Sequence, residues 1–453
     1  MLPALCKTWI LGLGLNLGLL GVLYLCPVSR ANLPLPEGEH AGNLWRGQDV
    51  LTYVQPARNL LAHGVIGNAE VPDLHRSVGY PAWVALFLAL FGSHWLLTLR
   101  LIQAALFAAI YPALFVLAHS LFPREQGLGR DTVLATILFC TYLPYAPMVL
   151  TDMSFALLFT VGLASVSLAV ATASARAWFA HVISIGLAAQ LRPCLGAYAL
   201  LLLLLVPALA RHHAVPFRAV RRPLLWSALV LLVLGNLPAL RNYYHHGWFT
   251  PSDVVSANVF DYLALKVLEE EGKASRAEAM QQEVGAVEDP RVRGDRKTTL
   301  ALAVFTAHPC ATLREFVQKG ISILLAGGIE LLAPYFDLSW VEQHSLHHRH
   351  LRQHGAVTAW FLASALGHLL ALVLLAGLVL GLLLRTEWLQ AAAILGCYGL
   401  LVVPAFFAGG GARHKLMLEG PALLLALYAL RRFARRGFAD ILLRNGDPAG
   451  GPG

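Results

Sequence analysis

The chain has 453 residues, 57% of them hydrophobic and only 13% charged, with a formal net charge of +8. A soluble domain cannot hide that much apolar surface, and long uncharged runs recur, so the sequence reads as an all-α polytopic membrane protein. The runs have helical length rather than the ten-residue alternation of a membrane barrel. The basic residues flank apolar spans, where they set orientation, so the charge points to no nucleic-acid partner, and six cysteines without paired spacing give neither a disulfide framework nor a zinc site.

In chain order, the first apolar stretch, 9–26, has one basic residue before it and no cleavage site after it, so it reads as a retained helix. The polar segment 27–100 follows. Within it, GQDVLTYVQPARNLLAHG places Asp49, Tyr53, Ala57 and Leu60 at helical spacing, and His63-Gly64 reads as the helix end. Asp49 therefore stands near a helix start at the membrane border, as a capping acid or as a reactive one. The stretch 80–92 is too short for the ~20 residues a crossing needs and reads as interfacial or re-entrant. Crossings are predicted at 101–119, 132–150, 153–172, 178–191, 194–210 and 224–240, and after the long loop 241–357 at 358–384, 388–408 and 416–430, ten with the first. The stretch 320–336 carries Gly327, Gly328, Glu330 and Pro334 and reads as a second interfacial segment.

The basic loop RHHAVPFRAVRR (211–222) and the terminal RRFARR belong in the cytoplasm. That choice collects 27–100, the turn Thr151–Asp152, the turn at Arg192, the loop 241–357 and GGGARHK (409–415) on the opposite side. Asp152 is either a second acid of a site or a cap for the following span. Arg76, Arg192, Arg241 and Arg413 all fall at the external edges of apolar spans, as anion-binding groups or as interfacial anchors. Residues 266–297 are the most charged of the chain, either a solvated helix or a cover over an external cavity. HSLHHRH (344–350) reads as a wet interfacial segment or a metal-binding one. The chain divides into a membrane domain, 1–440, and a disordered tail, 441–453.

Seven segments, in order, resemble the GT-C glycosyltransferases, the membrane enzymes that include protein O-mannosyltransferases and bacterial aminoarabinose transferases. They are Asp49 with Tyr53 and the following A-x-x-L-x-x-x-G, HRSVGYP, LRLIQAAL, TDMSF, QLRPCL, RNYYHHGWFTPSD and GARHKLMLEGPALLLALYAL. The chain departs from the family pattern in having Gln48-Asp49 for paired acids, Val78 for a proline and His414 for a tyrosine. The resemblance implies a GT-C bundle of about ten to twelve membrane helices with external interfacial helices. It implies transfer of a sugar from a polyprenyl-phosphate donor to an acceptor hydroxyl on the non-cytoplasmic face. Asp49 would be the general base, and Arg192, Arg241 or Arg413 would hold the phosphate. Arg76 and Asp152 would also belong to the substrate site, with Tyr53, His75 and Tyr80 lining its entrance. The donor lipid and the surrounding membrane lipids are the expected partners. The acceptor is open, and no cofactor is implied beyond a divalent metal that the residues do not themselves indicate. The short loops and the Ala/Leu/Arg-rich style point to a bacterial inner membrane. A transporter or flippase, or a noncatalytic subunit that binds a lipid-linked glycan, would share the same architecture.

Overall fold

The computed structural model of the chain describes residues 2–25, 48–68, 71–72, 77–139, 142–146, 149–192, 195–325, 373–374, 376–377 and 416–445. Four helical stretches among them are long and apolar enough to cross a bilayer: Leu2–Gly21, Gly79–Leu121, Thr151–Thr172 and Phe217–His246, with the shorter Tyr198–His212 beside them. The strand pairing among the described residues is one antiparallel contact of Gly67–Asn68 with Val71–Pro72.

Helix α1 spans Leu2–Leu25 and lies against the helices of 95–107 and 110–121. Helix α2, Gln48–His63, has the expected boundaries. It stops because Gly64 adopts φ +72 and returns its N–H to the Leu60 carbonyl at 3.0 Å, the left-handed glycine stop of a helix C-terminus. Helix α3, Gly79–Phe91, turns back through a 3₁₀ turn at Gly92–His94 into α4, Trp95–Phe107. The stretch predicted to be interfacial is thus one arm of a helical hairpin, whose turn Gly92 supports with φ +49.

The crossing expected at 101–119 is two helices, α4 and α5 (Ile110–Leu121). Pro112 has no N–H to offer the Ala108 carbonyl and fits the first turn of a helix, where that donor is not needed, so a new helix starts there. Of the crossing expected at 132–150 the structure describes helix α6, Leu128–Phe139, and the short α7, Tyr142–Tyr145; 140–141 and 147–148 lie outside the described residues.

Helix α8, Thr151–Thr172, ends at Ala173 with φ 53. Ser174 caps the start of α9, Ala175–Leu191, by accepting from the Ala177 N–H at 3.4 Å. These two helices form the most extensively packed pair among the described residues. The buried His181 ring hydrogen-bonds the Gly162 carbonyl at 2.9 Å between them. Helix α10 spans Tyr198–His212. Helix α11 runs over 30 residues, Phe217–His246, so Arg241 lies inside it and does not follow its end. A central apolar cluster joins α5, α8, α9 and α10 to the last helix, with Phe107, Tyr111, Phe159, Leu202 and Tyr428 among its buried members.

The region after α11 is a helical unit rather than an open loop. It contains α12 (Val254–Ala257), a π-helical segment Asn258–Ala264, α13 (Leu265–Glu270), α14 (Ala274–Gly285), α15 (Pro290–Ala307) and α16 (Pro309–Leu325). It has its own core of Phe260, Leu263, Val267, Leu268, Ala277, Met280, Val284, Ala301 and Val304. Asp289 accepts from the Arg291 and Val292 N–H groups, and Pro290 takes the first helical position, so the start of α15 is legible in DPRV.

The last helix, α17, spans Leu416–Asn445, beyond the expected crossing and into the segment read as a tail. Its Arg432 and Arg435 hold the buried Glu125 at 2.9 and 3.0 Å, while Arg431 holds Asp131, so α17 is clamped to the connection between α5 and α6. The crossings expected at 358–384 and 388–408 lie outside the described residues apart from four helical positions, as do HSLHHRH and 326–336.

Candidate functional site

A polar corner forms where α2, α3, α4 and the start of α8 meet the end of α9. Its apolar floor is Tyr53, Val54, Ala57, Tyr80, Val84, Leu99 and Val149. The rings of Tyr53 and Tyr80 meet edge to face with centroids 5.1 Å apart. Above them the Tyr53 hydroxyl pairs with Thr151 Oγ1 at 3.3 Å. Gln103 Nε2 donates to the Tyr80 hydroxyl at 2.8 Å.

Asp152 does not sit in a turn. It occupies the first turn of α8, where the helix N-terminus favours an acid. It is not a free-standing cap either, because Arg192 Nη2 donates to its Oδ1. Arg192 caps the C-terminus of α9 in extended conformation, and its guanidinium also lies 5.4 Å from the Phe155 ring centroid. The side chains differ in exposure, 2% for Asp152 and 20% for Arg192, so the acid is the more committed partner.

Gly79 explains how α3 reaches this pair. A Cβ there would stand 2.6 Å from the Gln190 carbonyl oxygen, two residues before Arg192. Only glycine lets the start of α3, and with it Tyr80, close on the end of α9.

The structure therefore brings together Tyr53, Tyr80, Asp152 and Arg192. Asp49 lies one helical turn before Tyr53, in the first turn of α2, although its side chain is outside the described residues. His75, Arg76 and Arg413 are outside them too. Arg241 stands on a different helix, and its described hydrogen bonds run from Nε and Nη2 to Asn242 Oδ1 at 3.0 and 2.7 Å. Asn242 in turn donates to the Thr250 carbonyl at 2.8 Å, which ties the end of α11 to the helical unit beyond it. Among the described residues no three His, Cys, Asp or Glu side chains come together as a metal-binding group.

Three members of the corner were not singled out from the sequence: Thr151, Gln103 and Arg100. Arg100 is buried, one turn before Gln103 on α4. A signal for it existed. Arg100 is the one Asp, Glu, Lys or Arg residue between positions 79 and 121, and an ionisable residue inside a membrane-length apolar run marks a functional site by default.

No family model and no curated protein matches the sequence. Among solved structures, the chain is similar to the archaeal oligosaccharyltransferase AglB from Archaeoglobus fulgidus, described as in complex with an inhibitory peptide and a dolichol-phosphate. The TM-score is 0.50 at 13% sequence identity. The match covers 99% of this chain and 52% of that one, so this chain spans about half of its neighbour's length. At that identity the likeness shows the fold: an integral membrane protein with an all-α bundle of the GT-C type.

Proposed function

We propose that the protein is a membrane glycosyltransferase that moves a sugar from a polyprenyl-phosphate donor to an acceptor on the non-cytoplasmic face. The observation that carries the reading is the polar corner itself. A buried acid, an arginine and two tyrosines converge beside the first turn of α2, which holds Asp49. The fold likeness supports it, since the neighbouring structure is that of an oligosaccharyltransferase with a dolichol-phosphate.

In this mechanism Asp49 takes the proton of the acceptor hydroxyl as that oxygen attacks the anomeric carbon. The new carbon–oxygen bond forms as the bond to the phosphate oxygen breaks. The electron pair leaves on the phosphate, where arginine donors meet the developing charge. One displacement inverts the anomeric centre and needs no covalent enzyme intermediate. Tyr53 and Tyr80 offer aromatic surface and hydroxyls to the sugar or the lipid, and Asp152 keeps Arg192 oriented. The donor sugar, the acceptor and the bacterial inner membrane as the setting belong to the same proposal.

The test is a radiolabel transfer assay on purified protein with a panel of polyprenyl-phosphate sugars, comparing the native chain with Asp49→Asn. The expected outcome is donor consumption by the native chain and a loss of at least about a hundred-fold in the variant. Native turnover in a folded Asp49→Asn variant would remove Asp49 as the base. A native chain that consumes no donor would remove the transferase reading.

A further inference from the structure

The end of the bundle opposite the polar corner carries a basic surface. Printed contacts gather the helix ends there. Ser120, near the end of α5, donates to Ser167 Oγ near the end of α8 at 2.8 Å. His212 Nε2, at the end of α10, donates to the Leu121 carbonyl at 2.6 Å. Charge at this end is lopsided. The described acids beside Leu121, Glu125 and Asp131, are both held by arginines of α17. No Asp or Glu occurs between Asp152 and Asp253. Into that acid-free stretch the start of α11 brings Arg218, Arg221 and Arg222, all exposed.

Orientation in a membrane asks only that such charges stay out of the bilayer. Their register is more specific. Arg218 and Arg222 lie one helical turn apart, about 6 Å along the axis. The same face continues with Leu225 and Leu229, at i+7 and i+11 from Arg218, and both are exposed. Trp226, 68% exposed, stands at the edge of this face. The opposite face, with Val220, Leu224, Ser227 and Leu231, is buried in the bundle. Helix α11 is long and apolar enough to cross a bilayer, so its exposed apolar strip meets acyl chains. A lipid whose chains lie along Leu225 and Leu229 has its headgroup phosphate at the level of Arg218 and Arg222. Trp226 occupies the depth at which an indole spans chain and headgroup.

We infer that this face of α11 binds an anionic phospholipid, with Arg218, Arg221 and Arg222 on its headgroup and Leu225, Trp226 and Leu229 along its chains. Cations and apolar strip form one continuous surface. A water-soluble protein would reach only the arginines, whereas a lipid fits both parts. Net negative charge is selected because no acid offsets the three guanidiniums, and each basic side chain at such a surface strengthens binding about five-fold. None of these residues belongs to the polar corner, so the outcome does not depend on the transferase reading.

The experiment places the full chain in phosphatidylcholine vesicles and replaces part of the lipid with phosphatidylglycerol brominated on its acyl chains, which quenches nearby indoles. The Trp226 signal is the difference between each protein and the same protein carrying Trp226→Phe, and brominated phosphatidylcholine is the reference. Circular dichroism and monodispersity report folding. In the native chain phosphatidylglycerol should be preferred at Trp226 about ten-fold or more. Arg218→Gln, Arg221→Gln and Arg222→Gln together should bring the preference close to one. The three lysine substitutions at the same positions should keep most of it, because charge makes the selection. Inorganic phosphate should not displace the lipid. Equal quenching by the two brominated lipids in the native chain overturns the inference and leaves the arginines to a soluble partner. So does a folded glutamine triple variant with the native preference, a folded lysine triple variant with none, or displacement by inorganic phosphate, which would make this a free-anion site. If the glutamine triple variant does not fold, Arg222→Gln alone decides. A loss of up to about five-fold is expected there, and an unchanged preference overturns the inference.

Discussion

The pairing of Asp152 with Arg192 has an energetic consequence that is directional. Asp152 has 2% of its side chain exposed, whereas Arg192 keeps 20% and lies over the Phe155 ring. Removing one partner of a buried pair costs about 3–5 kcal/mol, mostly because the other charge is left uncompensated. Arg192→Gln strands the sealed acid, so its cost should be near the lower end, about 3 kcal/mol. Asp152→Asn leaves an arginine that still reaches water and an aromatic face, and asparagine still accepts a hydrogen bond, so about 1 kcal/mol is expected. The double variant has no stranded charge and should cost little more than Asp152→Asn alone. The coupling is then about 3 kcal/mol, roughly 150-fold in the folding equilibrium. Equilibrium unfolding of the four proteins in mixed micelles titrated with SDS reads this cycle. Additive costs, or an Asp152→Asn variant less stable than Arg192→Gln, would refute a buried acid held by its arginine.

Three further outcomes follow from the same corner and from the opposite end of the bundle. Gly79→Val should cost about 1–3 kcal/mol of stability and lower any donor turnover, because its side chain meets the Gln190 carbonyl; a variant that melts and turns over like the native chain would show that α3 does not close on α9. Tyr80→Phe leaves the buried Gln103 amide without its acceptor and should cost about 1–3 kcal/mol, whereas Tyr80→Phe combined with Gln103→Leu should recover most of it; thermal melting of both decides. Burial, with a smaller contribution from the neighbouring His212, lowers the His213 pKa from 6.5 to about 4. The unfolded chain therefore binds the extra proton first, and this contribution to stability is complete above about pH 6.5 and is lost as the pH falls towards 4. A His213→Gln variant should flatten that part of the pH–stability curve, and an unchanged curve would remove the assignment.

Hydropathy, charge and local stop signals were enough for much of this protein. Helical lengths without charge identify an all-α membrane bundle, because backbone groups in lipid must be satisfied within the segment. The start of α2 near Asp49 and its stop at Gly64 were legible because caps act within a few residues; the start of α15 at DPRV carries the same kind of signal but was not read from the sequence. The proline break at Pro112 was equally local but was overridden in the reading by the hydropathy of its surroundings. Such runs look continuous to a composition window even where the hydrogen-bond ladder cannot be.

What the tertiary structure alone decided is which polar groups meet. Asp152 and Arg192 are forty residues apart in sequence, as are many pairs that never touch, and their ion pair depends on α8 packing antiparallel to α9. Arg241 looked equivalent to Arg192 at the edge of a span, yet α11 continues past it and its side chain turns to Asn242. Arg100 looked like one more charge at a helix start, and only packing shows that it is enclosed. Periodicity reports the face on which a residue lies. Enclosure and pairing depend on what the other helices bring to that face, which no local pattern contains.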